Sequence, residues 1–307
     1  MRLLVTGGAG FVGTNLVRRL LSAGHSVRIL DDFRTGRREY VSELDAEVVE
    51  GQIGDTALVT ELASDVDAIV HLAAAGSVVD SVADPVANFE ANARGTFSVL
   101  TAARAAEVGR LVFSSTGGAL IGNAIPPVSE KSLPKPISPY GASKLAAEAY
   151  CHAFAKSYGI RTIALRFANV YGPYSGHKKG AITVFFRALH EGRPIQIFGD
   201  GKASRDFMYV DDICRGLELG LTTDLEPGTV AHLATGVETT VSELADACRR
   251  AVGLPDHPIE FLPARPGEVE RNFATYDYAR EAMGFEPSVS LDEGLARTYD
   301  WYKEHVF

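Results

Sequence analysis

The 307-residue chain has few cysteines, one tryptophan, no excess of positive charge and no long apolar run. Its cysteines, Cys151, Cys214 and Cys248, are odd in number and form no C-x-x-C pair. That pattern argues against a disulfide framework and for reduced thiols in a cytoplasmic protein, packed in helices or cores rather than binding metal. No stretch approaches about 18 uninterrupted apolar residues, so no membrane span is expected. The opening run Met1–Thr6 reaches Gly7 too soon for a signal peptide. The formal net charge of -9 offers no general polyanion-binding surface, so nucleic acid is not an expected partner. Internal repeats and low-complexity tracts are missing too.

What remains is an ordinary globular composition, with 46% hydrophobic and 22% charged residues. The length suits one large α/β unit or two lobes. In the first half, short apolar runs alternate with helical spacing. The runs are Leu3–Thr6, Val27–Leu30, a weak Val48–Val49, Ala68–His71 and Leu111–Ser114. Helical patterns cover Phe11–Leu21 and Pro85–Glu107, and a long helix is predicted from Pro139 to Tyr158, followed by a buried strand at Ile163–Phe167. Fully apolar strands alternating with helices read as a doubly wound parallel sheet covered on both faces, a Rossmann-type fold. After Tyr171-Gly172-Pro173 the elements shorten, which predicts a smaller C-terminal α/β lobe. The expected division is 1–168 plus about 209–235 for the first lobe, and about 169–208 plus 236–307 for the second. Thr240 and Glu243 have capping-box spacing at the start of a helix.

Gly7-Gly8-Ala9-Gly10-Phe11-Val12-Gly13 lies between the first strand and the first helix. Glycines there allow a tight turn and bring backbone amides and a helix N-terminus up to a pyrophosphate. Asp31 ends the next strand 18 residues after Gly13. A carboxylate at that point accepts from both ribose hydroxyls of NAD and repels a 2′-phosphate. Arg34, Arg37 and Arg38 could hold a 2′-phosphate, but Asp31 at the strand end favours NAD.

A second constellation is Ser138-Pro139-Tyr140-Gly141-Ala142-Ser143-Lys144. Tyr140 and Lys144 are four apart and share a helix face. An ammonium near a phenol favours the phenolate, giving a base able to take a proton from a substrate hydroxyl. The fifth strand ends in Ser114-Ser115-Thr116-Gly117-Gly118, at the edge where open α/β sheets bind ligands. Thr116, or else Ser115, is the candidate hydroxyl to share the substrate oxygen with Tyr140.

With these elements together the sequence resembles the extended short-chain dehydrogenase/reductase family, within it the UDP-glucose 4-epimerase group of sugar-nucleotide epimerases and dehydratases. The resemblance rests on Thr6–Gly13, Leu30–Phe33, His71–Ala74, Asn92 with Gly95-Thr96, Ser114–Gly118, Pro139–Lys144, Arg166–Pro173, Phe198–Asp212 and Arg265–Glu268. It implies tightly bound NAD held by Gly7, Gly10, Phe11, Val12, Gly13, Asp31, Asp32, Thr35, Gly36, Gln52 and Ile53. Leu72, Ala73, Ala74, Asn92, Ser114, Tyr140, Lys144, Phe167 and Val170 would complete that site. For the sugar nucleotide it implies Ser77, Thr116, Gly117, Gly118, Asn169, Ile182, Thr183, Ile197, Phe198, Arg205, Arg265 and Glu268. It also implies a homodimer through helices near Asn92–Glu107 and Tyr140–Tyr158.

The expected chemistry is 4-epimerisation of a UDP-hexose through a 4-keto sugar, with Tyr140 as base, Thr116 steadying the oxygen and Lys144 tuning Tyr140. Dehydratases of this family carry an Asp-Glu pair where this chain has Gly117-Gly118, which disfavours 4,6-dehydration. Decarboxylation of a UDP-glucuronate through the same intermediate stays open, as does a catalytically silent NAD and nucleotide-sugar-binding regulator. Three departures from the family pattern, Gln52, Ala75 and Ile121, bear on the adenine contact and the sugar pocket. His177, Lys178 and Lys179 are expected in a solvated loop.

Overall fold

The computed structural model describes residues 1–264 and 270–307. Arg265 and Glu268, expected to hold the nucleotide, lie outside the described residues.

The large sheet takes β1 (Arg2–Thr6), β2 (Ser26–Asp31), β3 (Glu47–Glu50), β4 (Ala68–His71), β5 (Arg110–Thr116) and β6 (Arg161–Phe167). Its helices are α1 (Phe11–Ser22), α2 (Thr56–Ala63), α3 (Val78–Ala83), α4 (Pro85–Phe89), α5 (Gly95–Ala105), α6 (Gly118–Ile121) and α7 (Pro139–Tyr158). Beyond these come β7 (Asn169–Tyr171), α8 (Ala181–His190), β8 (Ile195–Phe198), β9 (Ser204–Arg205), β10 (Phe207–Tyr209), α9 (Val210–Thr222) and β11 (Thr229–Leu233). The chain ends with β12 (Thr239–Thr240), α10 (Val241–Val252), β13 (Ile259–Leu262), β14 (Arg271–Asn272), α11 (Asp277–Met283) and α12 (Leu291–His305).

Seven strands form one all-parallel sheet in the order β11-β6-β5-β4-β1-β2-β3. The strand order reverses between β1 and β4, which opens a crevice at their carboxyl ends. The central strands carry apolar residues on both faces because successive residues serve two cores, whereas β3 at the edge is largely exposed. Leu3, Val5 and Ile29 face α1 and α9 with Leu16, Val17, Ile213 and Leu217. Leu4, Leu30 and Ile69 face α2, α5 and α7 with Val59, Leu100 and Ala147. Each fully buried leucine there contributes about 1.5–3 kcal/mol of transfer free energy.

The expected helix over Pro85–Glu107 is present but interrupted. Between α4 and α5 the residues Glu90–Arg94 form a π-helical turn, which adds a residue to the turn and carries Asn92. Helical spacing gives no sign of it, since a single wide turn barely disturbs an apolar stripe.

A separate core joins α8, β8, α10 and α12 through Phe185, Phe186, Ile195, Ile197, Leu244, Leu295 and Tyr302. Small sheets complete it: β10-β7, β13-β8 and β12-β9-β14. Thr240 and Glu243 form both bonds of the capping box that starts α10. Asp206 joins the two parts of the chain. Its buried carboxylate accepts from the Thr235 amide and hydroxyl and from the Gly236 amide, just after β11.

Candidate active site

The carboxyl edge of the sheet brings together Thr6, Asp31, His71, Thr116 and Phe167. The glycine turn between β1 and α1 fits tightly on one side and is open on the other. A side chain on Gly7 would stand 2.6 Å from the Ala73 amide nitrogen, and Gly7 has φ +72. Only glycine meets both demands. On Gly10 the sole atom near an added Cβ is the Gly7 carbonyl oxygen. The N-terminus of α1 has no side-chain cap. Its first amides, those of Phe11, Val12 and Gly13, are free to meet an anion. Leu72 and Ala73 border the same turn, their amides donating to the Thr6 carbonyl and hydroxyl.

Asp31 lies at the end of β2 and is buried. Its carboxylate accepts from the Ala9 and Phe33 amides at 2.9 Å each. Burial raises its pKa, and those two bonds oppose the rise. Gly36 packs against it, where a Cβ would lie 2.7 Å from Oδ1. Asp32 pairs with Arg34, and Thr35 is exposed beside them. Gln52 is exposed after β3, and Ile53 packs against Gly95. An open amide cradle, a buried carboxylate at the second strand end, and Arg34, Arg37 and Arg38 paired with Asp32, Glu39 and Glu50 fit a dinucleotide with a free 2′-hydroxyl.

Tyr140 and Lys144 stand on α7, which starts as the sequence predicts, with Pro139 at the first turn and Ser138 capping the Gly141 amide. Gly141 lets α7 approach α6 closely, since a Cβ there would overlap the Ala119 carbonyl. Tyr140 thereby lies beside the Thr116 side chain, which favours its ionised form. Burial pushes its pKa up to about 12, opposed by the Thr116 side chain. The Lys144 ammonium is buried, donates to the Ser114 carbonyl at 2.7 Å and lies 4.7 Å from the Phe113 ring centroid. Burial lowers its pKa to about 8, against smaller raising contributions from Cys151 and Glu148. The expected lysine-induced lowering of the tyrosine pKa does not operate in the protein by itself: the phenol lies above its ordinary range, and the ammonium is bonded to the strand.

Ser115 points elsewhere. Its hydroxyl donates to Glu148 at 2.5 Å inside the protein, so Thr116 is the hydroxyl on the Tyr140 side. Ser114 donates to the His71 carbonyl. Asn92 lies behind the site, bonded to both backbone groups of Ala75 and to the Ser143 hydroxyl. Ser143 in turn donates to the Tyr140 carbonyl. His71 is packed between the Thr6 and Thr96 hydroxyls.

For the sugar nucleotide, Asn169 is exposed at the start of β7 with its amide on the Asp206 carbonyl. Arg205, on β9, donates to the Ser204 carbonyl. Phe198 is half-buried at the end of β8. Ile182, Thr183 and Ile197 are corrections to the sequence reading. They are buried in the second core, Thr183 on the Tyr302 hydroxyl, which leaves main-chain atoms to meet a ligand. The Ser77 hydroxyl is occupied as the cap of α3. Ile121 is also corrected: it packs with Leu120, Val128, Ala234 and Ala274 rather than facing a pocket.

Gly117 and Gly118 follow Thr116. A Cβ on Gly117 would meet the His232 ring at 3.2 Å, and one on Gly118 would overlap the Asn272 side-chain amide. Asn272 and His232 went unnoticed in the sequence, because they come from β14 and β11, far along the chain. Lys178 is also better placed than expected. Its ammonium stands 5.1 Å from the Phe11 ring centroid and 3.4 Å from the Val170 carbonyl oxygen, at the rim of the glycine turn.

Three similarities bear on this site. Across 99% of both chains, the protein is 39% identical to a UDP-glucose 4-epimerase of Mycolicibacterium smegmatis. The crystal structure of Thermotoga maritima UDP-glucose 4-epimerase with UDP-glucose superposes with a TM-score of 0.94 at 35% identity, covering 100% of each chain. The Thermus thermophilus UDP-glucose 4-epimerase complex with NAD gives 0.91 at 35% identity, again over 100% of each chain. Residues 3–234 match the model of the NAD-dependent epimerase/dehydratase family, and the chain belongs to that family.

Proposed function

We propose that this protein is an NAD-dependent epimerase that inverts C4 of the hexose in a UDP-sugar. The observation that carries this reading is Thr116 standing beside the buried Tyr140 phenol at the carboxyl edge of β5, next to a dinucleotide cradle, with glycines in place of a dehydratase's acidic pair.

NAD, held by the glycine turn, Asp31 and Lys144, supplies a reversible hydride acceptor. Tyr140 takes the proton of the 4-hydroxyl and later returns it. Thr116 donates to the same oxygen and fixes its position. Lys144 keeps two donor positions beyond the Ser114 bond, which suit ribose hydroxyls. Its charge, added to that of the oxidised dinucleotide, lowers the cost of the Tyr140 phenolate. The 4-keto sugar must then present its other face before the hydride returns. Lys178 is suited to a diphosphate at the rim. In this reading residues 1–168 with 209–235 hold the dinucleotide, and 169–208 with 236–307 hold the sugar nucleotide.

Exposed Phe97, Tyr150 and Tyr158 line one apolar face of α5 and α7, with Phe97 and Tyr150 in edge contact at 5.1 Å. That face suits a homodimer, and Phe97→Glu should convert it to monomer in sedimentation. Among the described residues no helix is long and apolar enough to cross a membrane. The three buried, unpaired thiols suit the cytoplasm.

The test is incubation of the purified protein with UDP-glucose, UDP-N-acetylglucosamine and UDP-glucuronate, with products identified by NMR. The 4-epimer of at least one is expected; a 4-keto-6-deoxy sugar or a pentose would remove the reading.

A further inference from the structure

Behind the reacting groups lies a buried polar cluster that the mechanism above does not use. Glu148 is on α7, four residues beyond Lys144 and eight beyond Tyr140, so the three share a helix face. Its carboxylate accepts from the Ser115 hydroxyl at 2.5 Å and from Arg166 on β6 at 2.9 and 2.8 Å, a bidentate pair. Glu148 and Arg166 side chains are each only 5% exposed. Arg166 reaches on to the His232 ring at 3.5 Å, beside Gly117.

Consecutive residues of β5 thus meet successive turns of α7. The Ser114 carbonyl accepts from Lys144, the Ser115 hydroxyl donates to Glu148, and Thr116 stands beside Tyr140. Slippage of the helix along the strand would break both bonds and move Tyr140 away from Thr116.

We propose that Glu148, anchored by Arg166 and Ser115, is a positioning residue that sets the register of Tyr140 and Lys144 against the end of β5. It touches neither substrate nor dinucleotide; it acts through the two residues that do. A buried pair of this kind does not by itself imply extra stability, since desolvation offsets most of its attraction. Its value lies in geometry: hydrogen bonds to both carboxylate oxygens fix the rotation and translation of α7. It also places one negative charge a turn from the Lys144 ammonium. The other titratable or charged groups around Lys144 are Tyr140 and Cys151 on its own helix, His71 on β4, and, beyond Glu148, Arg166 on β6 and His232 on β11.

The inference rests on the epimerase reading, so wild-type turnover of the UDP-sugars is measured first; an inactive wild type fails that reading and not this one. Two variants then test the register. E148Q keeps the shape and removes the charge, and S115A removes one bond with little threat to folding. For E148Q, kcat should fall about tenfold or more, the scale expected for a small misplacement of reacting groups. KM should change less than about twofold, and dinucleotide retention should suffer less than kcat, because the glycine turn and Asp31 are untouched. The alkaline limb of its kcat profile should move to lower pH, since the ammonium loses its neighbouring anion. S115A should show the same kcat-only loss in milder form, and it decides the question if E148Q does not fold. Wild-type kcat and pH profile in S115A and in a folded E148Q, or losses that only follow the unfolded fraction, would overturn the proposal.

Discussion

The Lys144 ammonium donates to the carbonyl oxygen of Ser114 at 2.7 Å, and that bond ties the helix carrying the candidate base to the strand carrying Thr116. Burial opposes charge on both side chains, holding Tyr140 near 12 and Lys144 near 8. Protein stripped of dinucleotide should therefore lack a phenolate at neutral pH. The difference in phenolate absorbance between wild type and Tyr140→Phe should titrate near 12 in the stripped protein, and at lower pH once NAD is added. An unshifted titration with NAD bound would contradict the proposed activation.

Tyr140→Phe removes the proton acceptor and leaves the shape of the site. Its kcat should fall by about 10²–10⁴-fold, the usual range for general base catalysis, with KM little changed. Steady-state kinetics on the UDP-sugar that turns over best checks this. Undiminished activity would remove Tyr140 from the chemistry.

Gly118 is tested by adding one methyl group. Gly118→Ala would drive a Cβ into the Asn272 side-chain amide. Overpacking of this kind costs about 1–3 kcal/mol, and here it would also shift the turn after Thr116. Both the melting temperature and kcat should drop, and Gly118→Ala/Asn272→Ala should recover most of each. Failure of the double variant to recover would show that Asn272 is not what excludes a side chain there.

Acid should destabilise the fold through two histidines. His71 and His232 are buried, and desolvation lowers each from 6.5 to about 3, with Lys144 and Arg166 adding to the effect in turn. Each stays neutral in the folded protein while the unfolded chain takes up a proton below 6.5. Their contribution is therefore complete above pH 6.5 and is lost as pH falls toward 3, with a limiting slope of about 1.4 kcal/mol per pH unit for each. Urea unfolding at a series of pH values should show this loss, and His71→Asn should reduce its slope.

Much of this site could be read in the sequence because its parts are local. Gly7–Gly13, Asp31, and Tyr140 with Lys144 each need only a strand end or a single helix turn to be meaningful. The run of apolar strands carried the parallel sheet, since two-sided burial leaves no alternation to mislead. Long-range pairing was not legible. Nothing near Ser115 announces that Glu148 takes its hydroxyl, nor does anything near Gly118 announce Asn272, 154 residues later. The resemblance implied Ile182, Thr183 and Ile197 for the sugar nucleotide, yet an apolar side chain in a short segment serves a core equally well, as Ile182 and Ile197 do, while the Thr183 hydroxyl is bonded to Tyr302.

The central claim is that the hydride removed from C4 returns to C4 of the same sugar. A UDP-sugar substrate carrying deuterium at C4, turned over in ordinary water and followed by NMR, tests it directly. The account predicts that the 4-epimer keeps the label at C4. Label lost to solvent, or found at C6 of a 4-keto product, would contradict it.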